Sequence, residues 1–224
     1  MSAPATTDLL ELLIEQSVLR FGEFTLKSGR QSPYFFNLGA INSGAAIARL
    51  GEAYADGAER LGLPFDAVFG PAYKGIPIAV ATASAMAARG RDCGWLFNRK
   101  EAKEHGEGGQ FVGAAVTGRL LLVDDVLTAG TAVREAAGLI KAAGGSLVGV
   151  LIALDRQERV VPDEPGTAVS RLAEELNVPV ASLLSLEDVI EYLDLKGGAN
   201  NHPPAVLAAI RDYQAAFCEQ GNGL

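Results

Sequence analysis

Residues 121–132 read Leu-Leu-Val-Asp-Asp-Val-Leu-Thr-Ala-Gly-Thr-Ala, an apolar run that stops at two adjacent carboxylates and turns through small residues into a further segment. The reading of this stretch decides the fold. Residues 120–123 have no polar member, as expected of a strand buried on both faces. Asp124 and Asp125 then emerge at its carboxyl end, where open α/β sheets place their ligands, and their carboxylates can accept hydrogen bonds from neighbouring sugar hydroxyls. Thr128, Ala129, Gly130 and Thr131 are small enough for backbone N–H groups to close around a phosphate at the start of the next helix. The alternative for these residues is a plain strand end, with Asp125 or Thr128 capping the helix.

Working outward from this stretch, strand patterns fall at 67–69, 94–97, 120–123 and 146–153, and alternate with helical patterns at about 76–89 and 131–143. That alternation predicts an α/β fold with a mostly parallel, doubly wound sheet. Before it, a helix is expected over about 8–20, a hairpin over 24–26 and 34–38, and a second helix over 43–61. After it come a last strand near 178–183 and helices near 167–176, 186–193 and 204–219. Residues beyond Asp194 carry no functional signal.

Residues 99–110 have no core pattern. Arg99, Lys100 and Lys103 interleave with Glu101, Glu104 and Glu107 ahead of closely spaced glycines, which predicts a mobile loop. Its glycines lack dinucleotide-binding spacing, and no Gly-Lys-Ser or Gly-Lys-Thr follows a glycine loop.

A chain of 224 residues with 49% hydrophobic content can bury one full core, so a single domain over 1–224 is expected. The formal charge of -8 disfavours a nucleic-acid surface, which needs a basic stripe. Two distant cysteines, Cys93 and Cys218, suggest neither a disulfide framework nor a zinc site. With no basic residue before the first apolar stretch and no run long enough to span a bilayer, a soluble cytoplasmic protein is expected.

Further blocks carry a resemblance. Phe24-Thr-Leu-Lys-Ser-Gly-Arg30, Ser32-Pro-Tyr-Phe-Phe-Asn37, Phe69-Gly-Pro-Ala-Tyr-Lys-Gly-Ile-Pro77, the loop from Phe97 to Gly109 and Leu154-Asp-Arg-Gln-Glu-Arg159, with the stretch at 121–132, resemble the bacterial orotate phosphoribosyltransferases, members of the type I phosphoribosyltransferases. The resemblance implies an N-terminal hood over about 1–40 and a flexible catalytic loop over about 99–110. It also implies a homodimer with active sites shared between subunits and Mg²⁺ held mainly by the substrate 5-phosphoribosyl 1-pyrophosphate (PRPP) and water.

The same resemblance distributes roles. Lys103 is the principal catalytic cation and reaches the partner's site; Arg99, His105 and Asp125 assist. PRPP contacts fall on Lys27, Tyr73, Lys74, Arg99, Lys100, Lys103 and His105, and on the run Asp124, Asp125, Val126, Leu127, Thr128, Ala129, Gly130, Thr131 and Ala132. The orotate site falls on Phe35, Phe36, Thr128 and Arg156. A flat anionic base needs an aromatic wall and a forked cation. Against that, strand alternation would send one phenylalanine to the core and the other to the surface, and Arg156 could simply pair with Asp155 or Glu158. Two rival functions keep the phosphate cradle: a purine phosphoribosyltransferase, and a non-catalytic PRPP sensor that binds nucleic acid.

Overall fold

A computed structural model describes residues 3–26, 29–103, 109–127, 130–161, 164–196 and 204–219. Among these, the sheet expected at the centre has six strands in the order β5-β4-β3-β6-β7-β8. They are β3 (Ala67–Phe69), β4 (Gly94–Lys103), β5 (Gly109–Gly113), β6 (Gly118–Val126), β7 (Gly145–Asp155) and β8 (Val180–Ser185). Every pairing is parallel except β4 with β5.

The apolar run of β6 is continuous because both of its faces are covered. Leu121 and Val123 pack into one core with α2 (Gly44–Leu61) and α3 (Gly75–Ala88), whereas Leu120 and Leu122 pack into a second core with α4 (Thr131–Ala142) and α5 (Ala168–Leu176). The doubly wound expectation is met on both faces. Helix α2 begins where Ser43 Oγ accepts the Ala46 N–H at 3.2 Å, an N-cap that satisfies one of the free donors of the first turn.

The hood consists of α1 (Ala3–Glu15) and the antiparallel pair β1 (Leu19–Thr25) and β2 (Gln31–Phe36), joined to the same core as α2. The first helix ends five residues earlier than its leucine spacing predicts. Ser17 takes a left-handed φ of 56° and the Val18 N–H turns back to the Leu13 carbonyl at 2.8 Å, so Leu19 opens a strand instead of closing a helix. Helices α6 (Leu186–Lys196) and α7 (Pro204–Phe217) complete the chain, and α7 packs on β2 through an edge contact of Tyr213 with Tyr34.

The described ends of the segment 99–110 are strand rather than loop, while residues 104–108, where the rest of the loop was expected, lie outside the described residues. Strand β4 runs on to Lys103, and β5 pairs back along it with Phe97 opposite Val112 and Asn98 opposite Phe111. This hairpin sits at the sheet's edge, where ladder hydrogen bonds hold the backbone and charged side chains can face water. Burial periodicity therefore could not reveal it.

Candidate active site

The last residues of β6 form the floor of the site. Asp124 and Asp125 are both buried, and alternation along the strand turns their side chains to opposite faces. Asp125 Oδ2 meets Lys74 Nζ at 2.5 Å. Asp124 Oδ1 instead accepts the Asp125 N–H at 2.9 Å, while the Asp124 carbonyl accepts the Tyr54 hydroxyl at 2.7 Å. Burial, and then the charge of Asp125, push the Asp124 carboxyl up to about 7. The two adjacent carboxylates therefore differ: one is matched to a cation, and the other is easily protonated.

Lys74 reaches this floor from the turn between β3 and α3. The turn is tight because Gly70 and Gly75 nearly touch: a Cβ on Gly70 would lie 2.0 Å from the Gly75 carbonyl oxygen, and one on Gly75 would lie 2.6 Å from Pro71 Cδ. Asn98 Oδ1, from the edge hairpin, accepts the Ala72 N–H at 3.1 Å. The Ala72–Tyr73 peptide is cis. Tyr73 projects into solvent, and Lys100 Nζ lies 4.7 Å from the centre of its ring, a cation–π contact. A cavity of about 460 Å³ opens beside these residues, bounded by Tyr73, Lys74, Pro77, Asn42 and Ser43.

Tyr73, Lys74, Lys100 and Asp125 thus form one cluster, linking three blocks that are far apart in sequence. Arg99 is held within the hairpin, its Nη1 donating to the Gly109 carbonyl at 2.9 Å. On the other side of the floor Val126 is half-buried and Leu127 is buried in the second core, so Leu127 could offer a ligand only its backbone. Gly130 adopts a left-handed φ of 70° immediately before α4. Thr131 and Ala132 are exposed in the first helical turn, where free N–H groups favour an anion. Lys27, His105, Thr128 and Ala129, and the side chain of Lys103, lie outside the described residues.

The wall expected for a flat base is arranged differently from the simple reading. Phe36 is buried in the core, whereas Phe35 points the other way and stacks on Phe24 at 5.5 Å, with Arg20 over its ring at 5.2 Å. The two phenylalanines do not form one wall, and the physical reason is strand alternation on β2. Arg156, just past the end of β7, lies over Tyr34 at 4.9 Å and pairs with Glu158 at 2.6 Å. The ion pair with Glu158 that spacing allowed is therefore present.

Several residues that position the site gave no separate signal in the sequence. Tyr54 reads as one more member of an apolar helical face, and its role appears only when its hydroxyl reaches β6. Asn98 sits in a charged block, and its contact with Ala72 depends on β4 passing beside the turn that follows β3. Tyr213 lies in the C-terminal stretch that carried no motif.

A mostly parallel sheet with a carboxylate pair at the end of a central strand, facing a lysine turn and a small-residue helix start, is the architecture of a phosphoribosyltransferase. Residues 38–182 match the family model described as phosphoribosyl transferase domain, a span that contains both carboxylates and Arg156. The chain is 54% identical over 207 residues to orotate phosphoribosyltransferase of Stutzerimonas stutzeri strain A1501, covering 92% of this chain and 96% of that one. The crystal structure of orotate phosphoribosyltransferase from Francisella tularensis superposes with a TM-score of 0.82 at 36% identity, covering 95% of this chain and all of that chain (100%). A Mycobacterium tuberculosis orotate phosphoribosyltransferase in complex with PRPP is similar at a TM-score of 0.63 and 28% identity, covering 83% of this chain and 99% of that one. This chain belongs to the orotate phosphoribosyltransferase family.

Proposed function

We propose that this chain transfers the 5-phosphoribosyl group from PRPP to N1 of orotate, giving orotidine 5′-monophosphate and pyrophosphate in pyrimidine nucleotide synthesis. The observation that carries this reading is the Lys74–Asp125 pair beneath the helix start at Thr131. It supplies, side by side, an acceptor for ribose hydroxyls, a cation for a diphosphate and free N–H groups for a 5′-phosphate. The catalytic demand is electrostatic: negative charge grows on the departing diphosphate while the ribose ring becomes cationic. Lys74 and Lys100 meet the first need and Asp125 the second. Lys103, with Arg99 and His105, adds further positive charge, as the resemblance implies.

Mg²⁺ fits this donor set as an ion carried by the diphosphate. Of the floor carboxylates only Asp125, which faces Lys74, is placed to touch a hard ion that keeps most of its waters and diphosphate oxygens, and when bound the ion would offset charge on the leaving group. A homodimer with shared sites is supported by exposed apolar side chains, Val80 on α3 and Trp95 on β4, each 38% exposed. Such apolar exposure favours burial against a second copy. A reducing cytoplasm suits Cys93 and Cys218, which are both free thiols.

A panel of orotate, uracil, adenine, guanine and hypoxanthine with PRPP and Mg²⁺ tests the reading by product identification. Orotidine 5′-monophosphate should form from orotate at a rate at least a hundredfold above that with any other base. A purine nucleotide as the main product, or no turnover with orotate, would overturn it.

A further inference from the structure

We propose that Glu158 is the positioning residue that aims Arg156 at the carboxylate of the base, and that Tyr213 of α7 and Arg30 of the hood hold Glu158 in place. The proposal rests on the reading that Arg156 receives that carboxylate, and its test separates the two.

Both oxygens of Glu158 are engaged. Oε1 accepts the Tyr213 hydroxyl at 2.7 Å and pairs with Arg156 Nη2 at 2.6 Å, while Oε2 pairs with Arg30 Nη1 at 3.1 Å. Tyr34 lies under the Arg156 guanidinium at 4.9 Å and fixes its plane, and Glu158 then fixes its rotation within that plane. A forked donor must be held in both respects to meet a carboxylate with two parallel bonds. Arg156 meets Glu158 through Nη2, and its buried Nε has no hydrogen-bond partner.

The backbone under this arrangement is clamped from the C-terminal side. Glu158 forms a bridge with Cys218, the Arg159 N–H donates to the Phe217 carbonyl at 2.9 Å, and the Cys218 thiol donates to the Arg156 carbonyl at 3.4 Å. Arg30 is steadied by lying over Phe217 at 4.5 Å. Three elements distant in sequence thus converge on one carboxylate. Two guanidiniums, Arg30 and Arg156, face the single carboxylate of Glu158.

The experiment is steady-state kinetics on the full chain, with orotate and PRPP varied in turn, for E158Q, Y213F and R156A and for E158Q and Y213F in the R156A background. E158Q should raise the KM for orotate about tenfold, the usual scale for a hydrogen bond to a charged group, and leave the KM for PRPP within twofold. Y213F, which keeps the ring contacts with Tyr34 and Phe217, should raise the orotate KM about threefold and keep the thermal midpoint, so it answers even if E158Q folds poorly. Neither change should alter the orotate KM once Arg156 is absent, because coupled residues are not additive. Equal shifts for both substrates, or full effects of E158Q and Y213F in the R156A background, would overturn the positioning role while leaving Arg156 as the carboxylate partner. An R156A enzyme with unchanged orotate KM would overturn that partner assignment and the positioning role with it.

Discussion

Lys74 and Asp125 meet at 2.5 Å across 51 residues of sequence, one from the start of α3 and the other from the end of β6. The lysine side chain is about half exposed (48%), so the pair adds little to stability and is available to a ligand. Asp125→Asn should therefore weaken PRPP binding by about tenfold or more and shift the thermal midpoint by only a degree or two. Calorimetry showing PRPP binding as tight as in the wild type would count against the ribose role of Asp125.

The neighbouring carboxyl predicts a pH dependence. Asp124 is raised from its ordinary value near 3.8 to about 7, so the folded chain holds a proton there that the unfolded chain releases. Its favourable contribution is complete below pH 4 and is lost as pH rises to about 7. Asp124→Asn retains an oxygen for the Asp125 N–H and has no charge to bury. The variant should gain about 1–3 kcal/mol over the wild type at pH 8, with the gain shrinking toward pH 4. Thermal unfolding across that range is the check, and a gain independent of pH would contradict the assignment.

Gly70 and Gly75 leave no room for a methyl group in the lysine turn. Gly70→Ala should destabilise the fold by about 1–3 kcal/mol, as overpacking does, and should impair PRPP binding because Lys74 moves with the turn. Gly138→Ala, at an exposed position with nothing near its added Cβ, should do neither. Denaturant titration with a PRPP binding assay would distinguish the two; equal behaviour of the two variants would remove the steric argument.

If active sites are shared between two copies, each needs the body of one subunit and the hairpin of the other. Lys103→Ala alone should lower turnover about 10²–10³-fold. Mixing Lys103→Ala with Asp125→Ala after dissociation should restore about a quarter of wild-type activity, since about half of randomly paired dimers are mixed and each has one intact site. A mixture as inactive as its parents, with heterodimers shown to form, would place Lys103 in its own subunit's site. Val80→Asp, on the exposed face of α3, should shift the oligomer toward monomer in sedimentation.

What could be read in advance was whatever a short window of residues determines. The run ending at Asp124 and Asp125 announces a doubly covered strand because burial on both faces removes polar residues from it. The apolar spacing after Ser43 announces α2 because one helical face is a local pattern. The early end of α1 was hidden because Leu19 continues the leucine spacing as well in a strand as in a helix. Strand β5 was hidden because its stabilisation comes from backbone pairing with β4, which no local pattern of residues announces. At the site, the carboxylates and Lys74 were legible as motif residues, and of the company of Arg156 only Glu158 was. Glu158 is two residues away, yet Tyr34, Arg30 and Tyr213 reach it only through the packing of the hood and α7.

That packing has a consequence for how the chain is made. Arg30 and Glu158 stand 128 residues apart, and the backbone clamp on Glu158 and Arg159 comes from residues 217 and 218. A ribosome releases β1 and β2 long before it releases α7, so the strands β3 to β8 can pack as they emerge while the hood waits for its last partner. A chain whose translation stops short of α7 leaves Tyr34 uncovered and the segment after β7 untethered. Completion of synthesis is thus written into the surroundings of Arg156: a truncated product keeps the Lys74–Asp125 pair but loses the contacts that fasten Glu158 and Arg156.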